Sequence, residues 1–299
     1  MKNKKLGMPY MGSKRRLSSE IVNHILTAQP NTKYVWDLFG GGGAISFGFL
    51  QHPQIERVVY NELNTGVVEL FRKIQKDGIT PEFYQWVDRD TFYAHKNDDD
   101  WFCGLCKVVW SFGNNQRNYL FGKHIEDMKR KAHECVVNGA PFELDGISFN
   151  NLQGNTINER RLHFRSILTA NKKRFDLQQL ERLERLQQLE QLEQLERLEQ
   201  LERLDIRNQS AFDVVIDTPA DETIIYLDPP YKNTAAYQND VCHDELKRYI
   251  DNSPYTIYLS SYEFDLPVVK EMKHNSTLSQ TKNNAVVEKL FCNKTEHKF

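Results

Sequence analysis

The run Tyr34-Val35-Trp36-Asp37-Leu38-Phe39-Gly40-Gly41-Gly42-Gly43-Ala44 decides how this chain reads. Its first six residues are apolar or aromatic except Asp37, which predicts a short buried strand. Four glycines follow, able to take positive φ and to let backbone approach a ligand closely. A helix is expected from Ala44. A glycine loop between a strand and a helix N-terminus marks the ligand end of an open α/β sheet, and helix N-termini favour a carboxylate or phosphate guest. A Walker-type loop would need Gly-Lys-Ser or Gly-Lys-Thr, which is absent here.

Reading toward the C-terminus, Arg57 to Asn61 predicts a second strand. It ends at Glu62, about where a carboxylate holds ribose hydroxyls in nucleoside-binding sheets. Val67, Leu70, Phe71 and Ile74 then share one helical face. Toward the N-terminus, residues 13–28 read as a helix capped by Ser13, with Leu17, Ile21 and Ile25 on one side. Residues 85–175 are rich in aromatics, amides and charge, and mostly helical in period. Strand signals resume at Ile224–Leu227 and Tyr255–Leu259, and Val286–Leu290 suits an antiparallel edge strand. The expected fold class is α/β. A Rossmann-like, mostly parallel sheet is built from both ends of the chain (1–84 and 205–299) and carries a mainly helical insert at 85–176.

Between insert and sheet lies a strict repeat. Leucine recurs at every third position from Leu177 to Leu204, spaced by Glu, Gln and Arg. The composition favours helix. The period does not: at ~100° per residue, three residues advance ~300° and the stripe slips ~60° each time. A heptad seam is thereby excluded. A helix with leucines on all sides, a repeat-like stack and an unordered spacer all remain open, and a spacer without chemistry is the simplest role for 177–204.

The net charge of -2 carries no global nucleic-acid signature. The repeat holds seven glutamates and four arginines, so the rest of the chain is close to neutral and any charge that meets DNA must be local. The lysines of the first residues precede no apolar stretch, and no run approaches the ~18 apolar residues of a membrane span. The expected location is therefore cytoplasmic. Five cysteines fit reduced thiols there. The Cys103-x-x-Cys106 pair has no second well-spaced ligand pair, so no metal is expected.

The most specific signal is Asp228-Pro229-Pro230-Tyr231, directly after the strand Ile224–Leu227. Two prolines cannot continue the ladder, so the turn lies at the carboxyl end of the sheet. It presents a carboxylate, a carbonyl and a ring, which suit a planar base bearing an amino group.

Together these motifs resemble the Dam-like DNA adenine methyltransferase family. Tyr10-Met11-Gly12-Ser13-Lys14 resembles its N-terminal motif, Phe39, Gly41 and Gly43 its glycine motif, Glu62 its ribose acid, and Asp228 to Tyr231 its catalytic motif. Ser260-Ser261-Tyr262 also looks familial. The resemblance implies S-adenosylmethionine held by Tyr10, Lys14, Asp37, Phe39, Gly41, Gly43, Glu62, Ser210 and Asp228, and a catalytic set of Asp228, Pro229, Pro230 and Tyr231. One departure stands out: Ser210 lies where the family usually carries an acid that touches the cofactor's adenine, which implies weaker cofactor affinity. The implied partner is double-stranded DNA, met by a monomer, with room for a cognate restriction enzyme. In the insert, Lys107, Asn114, Asn115, Arg117, Lys123, Lys129, Arg130 and Lys131 are candidate DNA contacts. Competing readings are methylation of the cytosine amino group, or a degenerate scaffold that binds a partner through the leucine repeat.

Overall fold

The computed structural model describes residues 6–175, 186–196, 198, 200–230, 242–275 and 285–294. Its centre is a seven-stranded sheet. The strands are β1 (Tyr34–Asp37), β2 (Arg57–Asn61), β5 (Leu204–Arg207), β6 (Thr223–Leu227), β7 (Thr256–Ser261), β8 (Val268–Asn275) and β9 (Ala285–Cys292). They lie in the order β5-β2-β1-β6-β7-β9-β8. The first five are mutually parallel, and β9 runs antiparallel to both β7 and β8. The mixed sheet, parallel but for this pair, is the Rossmann-like arrangement expected from the motifs.

Alternation along each strand sorts the core into two faces. Ile224 and Tyr226 of β6 join the larger cluster, which holds α1 (Ser18–Ala28), α2 (Ala44–Leu50) and α3 (Thr65–Asp77). Ile225 and Leu227 join the smaller one, with Trp36, Ile257, and Leu246 and Ile250 of α9 (His243–Asp251). Because β2 and β6 flank β1, the chain leaves β1 toward one side and returns on the other. The crevice above the ends of β1 and β6 is therefore the topological switch point, where open α/β sheets bind ligands.

Two expectations need correction. Val286–Leu290 does form an antiparallel strand, but β9 is internal. The edge belongs to β8, whose charged Lys270, Glu271 and Lys273 suit an exposed border. Ser13 does not cap a helix. The chain turns first, with the Ser13 N–H donating to the Tyr10 carbonyl, and α1 starts at Ser18. The expected apolar face, Leu17, Ile21 and Ile25, is buried all the same.

Within 85–176 the chain forms α4 (Arg89–His95), α5 (Trp101–Val109), α6 (Lys123–Asn138), a small hairpin of β3 (Glu143–Leu144) and β4 (Ile147–Ser148), and α7 (Ile157–Ala170). Helix α5 crosses α3 at two glycines. A Cβ on Gly104 would lie 2.0 Å from the Gly66 carbonyl oxygen, so no larger residue fits the crossing.

The leucine repeat does not hold one structure. Leu177, Leu180 and Leu183 lie outside the described residues. Gln187–Glu196 is helix α8, with Leu189, Leu192 and Leu195 buried. Three leucines at this period span only ~120° of helix surface, so a short piece still makes one apolar face. Gln200 then takes φ +64°, Leu201–Arg203 form a 3-10 turn, and Leu204 opens β5. The segment is also pinned by its polar positions: Arg161 donates to Glu190 at 3.2 Å and to Glu193 at 2.8 Å, and Gln75 Nε2 donates to the carbonyls of Leu201 and Leu204.

Candidate active site

The strand ends place the motif residues. Asp37 closes β1 directly across from Tyr226 of β6, and Asp228 follows one residue beyond β6. Lys14, 214 positions away in sequence, donates to both Asp228 oxygens, at 2.7 and 2.9 Å. Its ammonium is also 3.7 Å from Glu288 of β9. Lys14 is 6% exposed, Glu288 2% and Asp228 18%, so the cluster meets water only at Asp228. Burial alone would lower the lysine's pKa, but Asp228 and Glu288 outweigh it and the pKa is raised. The ammonium stays charged and donates to both Asp228 oxygens. Glu288 carried no signal in the sequence, because only the antiparallel return of β9 brings it here.

The glycine loop is held from several sides. Gly41 and Gly43 take φ of +48° and +74°. A Cβ on Gly40 would lie 2.2 Å from the Tyr60 ring, and one on Gly41 would press on the Tyr10 ring at 3.2 Å. The loop's amides are largely spent within the protein: Gly40 N–H donates to the Asn61 carbonyl, Gly41 N–H to Glu62 Oε2 at 2.8 Å, and Gly43 N–H to the Gly40 carbonyl. Those three amides are therefore already paired and do not face a phosphate or carboxylate guest. The polar groups turned toward the cradle are acids.

Asp37 is the clearest case. Its Oδ2 accepts from Ser46 Oγ at 2.6 Å, while Oδ1 is buried with no partner among the described residues. Burial, chiefly, raises its pKa to about 7; the Ser46 hydroxyl opposes this and the charges of Asp228 and Glu62 add to it. Glu62 Oε1 accepts from the Asn64 N–H at 2.9 Å, so each oxygen of this carboxylate holds one backbone donor. Burial raises its pKa too, against those amides and the nearby Lys107 charge. Asn61, absent from the expected set, clamps three strand ends: its Nδ2 donates to the carbonyls of Leu38 and Gln209. Phe39 meets Phe212 edge-on at 6.4 Å, next to Ser210, which opens the turn carrying Phe212. Ser260 Oγ pairs with the Tyr226 hydroxyl at 2.6 Å beneath Asp228. Pro229 is buried and Pro230 half-buried; Tyr231 lies outside the described residues.

Among the candidate DNA contacts, several are spent locally. Asn114 Nδ2 donates to the Val108 carbonyl, and Asn115 Oδ1 accepts from the N–H groups of Arg117 and Asn118. Lys129 is buried over the Phe121 ring, and burial lowers its pKa to about 8. Arg130 and Lys131 both pair with exposed Asp127. Lys107 donates to Asn64 rather than facing outward, and Lys123 is exposed. Burial pushes the Cys106 thiol up to about 12, as suits a packing cysteine. Among the described residues no helix is long and apolar enough to cross a membrane.

A family model described as D12 class N6 adenine-specific DNA methyltransferase matches residues 10–291, from Tyr10 of the N-terminal motif into β9. The chain belongs to this family. No curated protein matches it. The D12 methyltransferase thus acts on adenine in DNA. The matched range takes in the glycine cradle, Asp228 and Glu288, so every group described above falls within it.

Proposed function

We propose that this methyltransferase carries a methyl group from S-adenosylmethionine to the exocyclic amino nitrogen of an adenine flipped out of duplex DNA. The observation that carries the reading is the part-buried Lys14–Asp228 contact beside an acid-lined glycine cradle. The cradle's chemistry fits this cofactor and not a nucleotide phosphate. The orphan Asp37 Oδ1 suits the cofactor's ammonium, and the remaining lone pairs of Glu62 suit the ribose hydroxyls. Tyr10, Phe39 and Phe212 supply apolar walls, and Ser210 a single hydroxyl where the family usually has an acid.

When bound, the cofactor supplies a methyl group on a positively charged sulfur. The chain's residues do the rest. A base in a duplex cannot reach a crevice at a sheet end, so it must be turned out of the stack. The adenine amino nitrogen is a poor nucleophile because its lone pair is delocalised. Asp228, held in place by Lys14, accepts one amino hydrogen. The Pro229 carbonyl accepts the other. Those two bonds aim the nitrogen, and positioning with fixed charge supplies the acceleration. Tyr231 is assigned to stack on the ring.

Residues 85–176 are assigned to reading the DNA sequence, with 1–84 and 205–299 as the catalytic part. Phe112, 62% exposed on a loop where Gly113, Asn114 and Gln116 take positive φ, suits stacking on a base. The test is transfer of labelled methyl to unmethylated plasmid DNA. Asp228→Ala should lose at least about a thousandfold in rate. Equal transfer by the variant would remove the assignment.

A further inference from the structure

Asn64 holds the N-cap position of α3, where an asparagine side chain would ordinarily accept a hydrogen bond from its own helix's first turn. Here it makes no such bond. Its amide is drawn away to the insert instead. Nδ2 donates to Gln116 Oε1 at 2.8 Å, and Oδ1 accepts from Lys107 Nζ at 3.0 Å. Both partners lie in 85–176: Lys107 on α5, Gln116 on the loop between Ser111 and Tyr119. Gln116 is itself held with φ +61°, its N–H donating to Ser111 Oγ at 3.2 Å. On its other side, the Asn64 N–H donates to Glu62 Oε1, and the second Glu62 oxygen accepts from Gly41 of the glycine loop.

We propose that Asn64 is a positioning residue that couples the insert to the cofactor site, so that DNA held by the 111–119 loop tightens cofactor binding through Glu62. This rests on the reading of Glu62 as the ribose acid. The physical case is one of continuity. A residue that gives up its cap has that stabilisation replaced only while the loop stays in place. A loop held by left-handed residues has few alternative seats. When DNA fixes the loop, the Asn64 backbone N–H is fixed with it, and one oxygen of Glu62 is fixed in turn. The Gly66–Gly104 crossing keeps α3 and α5 from sliding, so movement of the loop is passed to Asn64 and not absorbed between the helices. Linkage then requires the reciprocal effect: cofactor must raise DNA affinity by the same factor.

The experiment measures affinity for the cofactor analogue sinefungin by calorimetry on the full chain, with and without saturating unmethylated plasmid DNA. Wild type should bind at least about fivefold tighter with DNA, the lower end of ordinary coupling. Asn64→Ala should bring that ratio to within about twofold of unity. Gln116→Ala, which leaves the cap position and Glu62 intact, should do the same while its affinity without DNA stays within about twofold of wild type. A wild-type ratio near one, or a ratio unchanged in both variants, overturns the proposal. Glu62→Gln separates the two readings. If it weakens sinefungin about tenfold without DNA, the ribose-acid reading stands. If it binds as wild type while Asn64→Ala still abolishes the DNA effect, coupling survives by another route and that reading falls.

Discussion

The glycine loop and the leucine repeat are both strict patterns, and they behave in opposite ways. The glycines from Gly40 to Gly42 are closed on by Tyr60, Tyr10 and Glu62, which leave no room for a side chain there. The described leucines of 186–204 share no single structure: Leu189, Leu192 and Leu195 are helical, Leu201 lies in a 3-10 turn, Leu204 opens a strand, and Leu186 and Leu198 lie in none of these. A pattern specifies structure when its period matches an element or its residues answer a local demand. A three-residue apolar period matches no long element, so neighbours decide, and here the neighbours are Arg161, Gln75 and β2.

The contrast breaks most visibly at Lys14. Lys14→Ala would leave buried Glu288 and half-buried Asp228 without their shared cation, and should cost about 3 kcal/mol in denaturant unfolding. A loss under about 1 kcal/mol would show that the cluster is wetter than it looks. Next, Leu192→Ala tests whether the repeat is a spacer at all. Leu192 is fully buried, so about 2–5 kcal/mol should be lost, and half-buried Leu198 should cost less when cut back. A silent Leu192→Ala would return the segment to an idle linker.

Asp37 sharpens the comparison at the cradle. Its pKa is raised to about 7, so the folded chain binds a proton there that the unfolded chain has released. Stability contributed by this group is therefore lost as pH climbs from about 4 through about 7. Pairing with a cationic ligand demands the ionised form, so sinefungin affinity should rise about tenfold from pH 6 to pH 8, following the ionised fraction. Asp37→Asn should flatten that profile. A flat profile in wild type would place the ligand's ammonium elsewhere. The smallest effect is expected at Arg130: its pairing with Asp127 is exposed, and Arg130→Ala should shift stability by no more than about 0.5 kcal/mol.

Much of this was legible in the sequence, and the rest has a physical reason for being hidden. The strand–loop–helix run at 34–50 and the strand before Asp228 follow from periodicity and from glycine and proline chemistry, which act within a few residues. The antiparallel strand near 286–290 was legible as well, but not its internal position, because β8 carries alternating charge that reads equally as surface loop. Ser13 looked like a cap because its type fits, whereas the turn through Tyr10 moves the helix start to Ser18. Lys14, which the resemblance implies at the cofactor, is joined to Asp228 across 214 positions, a pairing no local pattern marks. Asn61, Asn64 and Glu288 acquire their roles only when strands distant in sequence come side by side, and no local signal marks them.

The central claim is met most directly by single-molecule sequencing of DNA from cells that express either the wild-type chain or Asp228→Ala. The account predicts N6-methyladenine at a defined sequence with the wild type and none with the variant. Methyl marks on the cytosine amino group, or adenine marks that persist without Asp228, would contradict it.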